Sequence, residues 1–216
     1  MRKVYFVVIL SICSSLTNAQ FTKKVLYRPF YYVSVRTGTN VFVAEGFSDY
    51  SMTKALGFNG TLSAGYNFTP VIGLRGNVGL STHSWPDKSD NFNVKSFLAT
   101  NFTADLTINA TNLMGGYDNQ RMYDLSLFGG AGVGLRSKLV TSFLMTPVAR
   151  GGLQADFRLN TEWSFNLLAE VNMVTDNYND FIGTKIPFDL YPALNVGFTY
   201  RFPTNEFYLH SERKNY

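Results

Sequence analysis

Arg150 and Glu170 each lie ten residues from Asn160, and that symmetry carries the sharpest chemistry in the chain. If Asn160 is the centre of a hairpin, guanidinium and carboxylate face each other on adjacent strands. Cross-strand partners are close enough for a charge-assisted hydrogen bond. Inside a barrel such a pair either gates the leakage of small ions or neutralises charge in a lumen filled by side chains. Eight-stranded interiors are filled, so the structural role is the one taken.

Other candidates are weaker. His83 stands beside Ser84 and near Asp87 at the end of an apolar run. A nucleophile needs its base within hydrogen-bond reach and a group to orient that base. Three residue types without that geometry read as a solvated rim histidine, and no catalytic residue is assigned. The cluster Asp176-Asn177-Tyr178-Asn179-Asp180 offers oxygen ligands without a calcium-loop spacing, so no metal is assigned. Gly129–Gly134 lies within a strand pattern, not between strand and helix, which excludes a phosphate loop. No cofactor is expected. The sequon Asn101-Phe102-Thr103 is an accident of strand polarity.

The elements that must position these residues are strands. Leu190 to Phe202 sets Leu190, Pro192, Leu194, Val196, Phe198, Tyr200 and Phe202 against Tyr191, Ala193, Asn195, Gly197, Thr199 and Arg201. Period-two alternation of that length is a strand with two unlike faces. Similar runs start at Tyr31, Leu56, Ile72, Leu98, Tyr123, Phe143 and Trp163, so the count is eight. Between them, Thr69-Pro70 and Asn160-Thr161 are minimal turns, whereas Glu45–Thr53, Ser84–Asn93 and Thr175–Asp189 are long and polar. Alternating short and long connections are the habit of membrane barrels. Two connections break the pattern: Ser137–Ser142 is short, and Asn109–Met122 is long.

Alternation alone does not say which face is outside. The polar face is rich in Gly, Ser and Asn and lacks mid-strand Lys, which suits an enclosed lumen better than a solvated surface. The runs exceed the roughly five or six residues of soluble strands and cover the ~9–11 that cross a bilayer. Tyr31, Tyr66, Phe68, Tyr123, Phe157, Trp163, Tyr200 and Phe202 sit near strand ends, as interfacial girdles do. The apolar face is therefore placed outward.

At the start, Arg2 and Lys3 precede the apolar run Val4–Ile12, and Thr17 and Ala19 are small. This is a secretory signal peptide, too short to span as a helix, with cleavage after Ala19. Cys13, the one cysteine, leaves with it, and Ile12 before it is a poor fit to a lipoprotein site. Losing Arg2 and Lys3 lowers the formal charge from +4 to +2, too little to argue for nucleic acid.

The eight runs, the closing Val196-Gly197-Phe198-Thr199-Tyr200-Arg201-Phe202 and the hairpin Asn67–Arg75 resemble the OmpA-like outer-membrane β-barrel family. The stretch Asn109–Arg121 resembles the long periplasmic connection of its Bacteroidota-type members. The resemblance implies insertion by the outer-membrane assembly machinery, which reads an aromatic-ended last strand. Val196, Phe198, Tyr200 and Phe202 would carry that signal, internal here because the chain continues past Phe202. Many members carry a peptidoglycan-binding domain after the barrel; the residues that follow Phe202 here are too few to hold one, so a barrel alone is expected.

The expectation is an all-β, eight-stranded antiparallel up-and-down transmembrane barrel with a polar interior. It occupies residues 31–202, after a signal peptide 1–19 and a periplasmic leader 20–30, and before a periplasmic tail 203–216. The lumen network would comprise Arg36, Arg75, Asp105, Asp124, Arg136, Arg150, Asp156, Arg158, Glu170 and Arg201. A monomer contacting outer-membrane lipid is expected, with a structural or interaction role, outside loops open to a partner of unknown kind, and no enzyme activity. The alternatives are a narrow porin-like channel, a lipid-modifying enzyme and a soluble ligand-binding barrel.

Overall fold

The structure, a computed structural model, describes residues 27–41, 56–87, 93–118, 120–138, 142–175 and 188–202. The expected signal peptide, most of the leader, the loop Glu45–Thr53, most of the loop Thr175–Asp189 and the tail lie outside the described residues.

Eight strands follow in order: β1 (Phe30–Val41), β2 (Leu56–Asn67), β3 (Ile72–Asp87), β4 (Asn93–Asn109), β5 (Tyr123–Lys138), β6 (Ser142–Arg158), β7 (Trp163–Thr175) and β8 (Phe188–Arg201). Each pairs antiparallel with its sequence neighbour, and β8 closes on β1 through Tyr32 opposite Arg201 to Asn40 opposite Ala193. Closure gives every strand a neighbour on both sides, so no strand is an edge strand. Among the described residues no helix is long and apolar enough to cross a membrane.

The alternation sorts as the side-chain period requires. Val35, Leu62, Val78, Phe102, Val133, Leu153, Val171 and Leu194 point outward and are exposed, Leu194 by 68%. Arg36, Arg75, Asp105, Asn166, Glu170 and Asn195 point inward and are buried. The greasy surface is the outer one. Two strand prolines fit the ladder because pairing stops beside them. The β1–β8 ladder ends at Ala193, just before Pro192, and the β6–β7 ladder ends at Val148, just after Pro147. A residue without an N–H is tolerated where no partner strand needs one.

Two turns at one end are set by side chains. Thr69 Oγ1 accepts from the backbone N–H of Ile72 at 2.8 Å, and Asn160 Oδ1 accepts from those of Glu162 and Trp163 at 2.9 and 2.7 Å. Short polar side chains close such turns by mimicking a backbone acceptor. We refer to this as the turn end and to the opposite rim as the loop end.

Two sequence expectations, the extent of the loop Ser84–Asn93 and the partner of Arg150, need correction, and the long connection Asn109–Met122 gains an element. The loop Ser84–Asn93 is strand at both of its ends: β3 runs to Asp87 and β4 starts at Asn93, with Ser84 opposite Ser96, and residues 88–92 lie outside the described residues. The connection Asn109–Met122 is partly helical, holding α1 (Ala110–Gly115). Asn109 caps it by accepting from Asn112 N–H at 2.7 Å, and Gly116 ends it at φ 72°. The β6–β7 register places Arg150 opposite Asn172, and Glu170 opposite Gly152. The bend 159–162 centres the hairpin one residue beyond Asn160, which slides the partner by two.

Candidate functional site

The middle of the lumen is a charged cluster built by β3, β4, β6 and β7. Arg75 and Asp105 are direct cross-strand partners, and Arg75 Nε and Nη2 converge on Asp105 Oδ2 at 3.0 and 2.7 Å. The Asp105 side chain is 0% exposed. Asn77 Nδ2 donates to the same oxygen at 2.9 Å. Arg150 Nε lies 3.6 Å from Asp105 Oδ1, and its Nη2 bonds Glu170 Oε2. The two-residue slip in register does not separate that pair, because a diagonal neighbour is within reach of a long side chain. Asn195 Nδ2 donates to Glu170 Oε1 at 3.3 Å, tying in β8.

Phe128 of β5 is buried under this cluster, 4.6 Å from the Arg75 guanidinium carbon and 5.4 Å from that of Arg150. A ring between two guanidiniums excludes water and adds cation–π attraction, about 0.5–2 kcal/mol per contact. Arg36 joins through neutral groups only: it donates to Ser63 Oγ, to Gln154 Oε1 at 3.3 Å and to Asn77 Oδ1 at 3.4 Å. Buried charges are stable when paired and hydrogen-bonded. This arrangement fills the middle of the lumen and neutralises its charges.

Towards the turn end lies a second group. Gln154 Nε2 donates to both carboxylate oxygens of Asp156, at 3.0 and 2.9 Å. Asp124, opposite Asp156, sits 3.7 Å from Arg158 Nη2 and 4.0 Å from Arg121 Nη1. Arg121 belongs to the connection carrying α1. It donates to Asn112 Oδ1 at 2.9 Å, while Asn112 Nδ2 donates to Pro70 O at 2.8 Å and so fastens α1 to the β2–β3 turn. Tyr27 packs edge-on to Tyr117 at 5.1 Å and donates its hydroxyl to Asn67 O at 3.0 Å. Burial, and then the Tyr117 phenol, push the Tyr27 hydroxyl above its ordinary range, so it remains a donor. These groups surround a cavity of about 90 Å³ that reaches inward to Gln154 and Phe128.

The loop end of the lumen is apolar: Phe97, Ala99, Val148, Val174 and Tyr191 cluster there. His83 lies within this plug, 0% exposed, its ring 5.2 Å from Phe97 and 4.7 Å from Tyr191. The sequence reading of a solvated rim histidine is corrected: β3 extends four residues past His83, which carries it inside. Ser81 Oγ lies 2.9 Å from its Nε2. Ser84 faces the other way and bonds Ser96, so His83 and Ser84 are not brought together. The side chain of Asp87 and the cluster Asp176–Asp180 lie outside the described residues. Arg136 caps the plug, 4.4 Å over the Phe97 ring.

The ten lumen residues thus divide. Arg75, Asp105, Arg150 and Glu170 form one cluster; Asp124 and Arg158 belong to another with Arg121. Arg36 and Asp156 are held by neutral partners, Arg136 stacks on Phe97, and Arg201 lies 5.4 Å over the Phe30 ring. On the other face of β8, Phe198 packs against Phe165 at 5.6 Å and Tyr200 against Trp163 at 5.0 Å, while Val196 and Phe202 are exposed. Sequence reasoning missed Phe128 and Arg121. Phe128 shares the parity of Asp124, Ser126 and Gly130, which was signal enough; Arg121 lay in a connection with no periodicity to read.

No family model and no curated protein matches the chain. Solved structures do. Neisserial surface protein A is similar over 82% of this chain and 100% of its own, at 14% identity and a TM-score of 0.52. A major outer membrane protein from Thermus thermophilus covers 82% of this chain and 100% of its own, at 13% identity and a TM-score of 0.48. The outer membrane protein OprG from Pseudomonas aeruginosa covers 79% and 95%, at 12% identity and a TM-score of 0.47. The first of these likenesses shows a shared fold, the closed eight-stranded antiparallel barrel.

Proposed function

We propose that this chain is an integral outer-membrane β-barrel with a structural or interaction role and a lumen closed to solutes. The observation that carries the reading is the inversion of faces. Large apolar side chains cover the outside of every strand while Arg75, Asp105, Arg150 and Glu170 are locked inside. Such an exterior is stable against lipid and not against water. The closed barrel shared with Neisserial surface protein A supports the same placement.

In this reading residues 1–19 are a signal peptide removed after Ala19, and 20–30 and 203–216 lie on the periplasmic side. Val196, Phe198, Tyr200 and Phe202 form the strand that the assembly machinery reads. The protein is a monomer in contact with outer-membrane lipid, its outside loops are the surface for a partner, and it performs no catalysis. The burial of His83 in an apolar plug, away from Ser84, supports the last point.

Closure of the lumen is tested by conductance. The purified full chain in planar bilayers should give no sustained current, and Glu170→Ala should leave it closed, because Phe128 and the Arg75–Asp105 pair still fill the middle. A steady open level in the wild-type protein would favour the narrow channel instead. Release of the chain from envelopes by salt or carbonate without detergent would sink the membrane reading altogether.

A further inference from the structure

From mid-barrel to the turn-end mouth the interior carries Arg36, Arg75, Arg121, Arg150, Arg158 and Arg201 against Asp105, Asp124, Asp156 and Glu170. Among the described residues, six guanidiniums face four carboxylates there. Guanidinium does not deprotonate in proteins, so the excess positive charge is permanent. A part-enclosed charge needs a partner of opposite sign or acceptors for its donors.

Arg201 is where that need is open. It is the last inward residue of β8 and lines the turn-end cavity. Its backbone N–H donates to Glu162 O at 2.7 Å, and its guanidinium lies over the Phe30 ring. No acceptor among the described residues takes a hydrogen bond from that guanidinium. Asp156, across the cavity, accepts from Gln154, and Asp124 lies 3.7 Å from Arg158 and 4.0 Å from Arg121; neither carboxylate takes a hydrogen bond from Arg201. A ring satisfies the π-face of a guanidinium only; the in-plane fork of donors remains, and that fork matches a carboxylate.

We infer that the turn-end cavity is a binding site for a small carboxylate monoanion, held by the Arg201 fork. The volume of about 90 Å³ has room for several waters or one short-chain acid. Tyr27, Phe30 and Tyr117 supply aromatic wall for its apolar end. Asp156 and Asp124 limit the charge the site accepts, so a monoanion is preferred to a dianion. The site does not depend on which compartment the mouth faces.

The test is a titration of the refolded full chain in detergent micelles with sodium acetate, against sodium chloride at equal ionic strength and against inorganic phosphate. It is followed by the arginine Nε–Hε resonances and by isothermal calorimetry. Acetate should bind saturably, and Arg201→Gln should weaken it about tenfold or more. Asp156→Asn removes a repelling carboxylate and should tighten it; this arm decides the matter if Arg201→Gln does not fold. The inference is overturned if acetate shows no saturable binding beyond chloride, if Arg201→Gln binds as the wild type does, if Asp156→Asn weakens binding, or if phosphate alone saturates the site. A conducting lumen in planar bilayers would defeat the closed-barrel role and leave this titration untouched.

Discussion

At the scale of single residues, Asp105 is the hinge of the lumen. It receives Arg75 and Asn77 on one oxygen and faces Arg150 with the other. Removing a partner from a buried ion pair costs more than the pair contributes, because the remaining charge is left stranded. Asp105→Ala leaves the buried Arg75 without a carboxylate, while Arg150 keeps Glu170, and should destabilise the barrel by about 3–5 kcal/mol, read from urea unfolding in phospholipid vesicles. A loss near the ~0–1 kcal/mol of an exposed pair would mean that water reaches the cluster. Parity made most of the inward charges legible in the sequence, Asp105 among them. Their pairing was not legible, since parity places a charge on a face without saying how far along the barrel its side chain reaches.

At the scale of elements, β5 shows how a strand is shaped by what it lies against. Its run Phe128–Gly134 looks permissive throughout, yet its glycines differ. A Cβ at Gly132 would sit 1.9 Å from Phe102 O and 2.6 Å from Thr103 Cα, both backbone atoms of β4, whereas one at Gly129 meets nothing within 4 Å. Gly132→Ala should therefore cost about 1–3 kcal/mol by overpacking, and Gly129→Ala should fold and unfold like the parent in the same urea titration. Equal effects would mean that β4 and β5 do not approach so closely. The sequence marks both glycines alike. The difference is that one points in, against the backbone of the neighbouring strand, and the other points out.

For the whole molecule, the inversion of faces makes a claim on the solvent. Leu194 lies midway along β8 on the outer face and is 68% exposed. In a membrane-spanning barrel Leu194→Arg should cost about 2–4 kcal/mol near the bilayer midplane and lower the folded, heat-modifiable fraction on unboiled gels. In a water-soluble barrel an exposed Leu-to-Arg change would be close to neutral, within roughly ±0.5 kcal/mol. The same measurement on Leu74 or Leu106, nearer the turn end, should give a smaller loss, since the penalty falls towards the interfaces.

The sequence by itself determined the strand count, the sorting of side chains into two faces and the two short turns, because these rest on period two and on local turn chemistry. The tertiary structure decided the rest. Register along each ladder is a property of the closed ring, and it set Arg150 opposite Asn172 while still letting it reach Glu170. The length of β3 drew His83 out of solvent into the apolar plug. Closure of β8 on β1 put Arg201 over Phe30, in the cavity that Asp156 and Asp124 also line. Each of these depends on residues far apart in the chain meeting across the lumen, and no local pattern encodes which of them will meet.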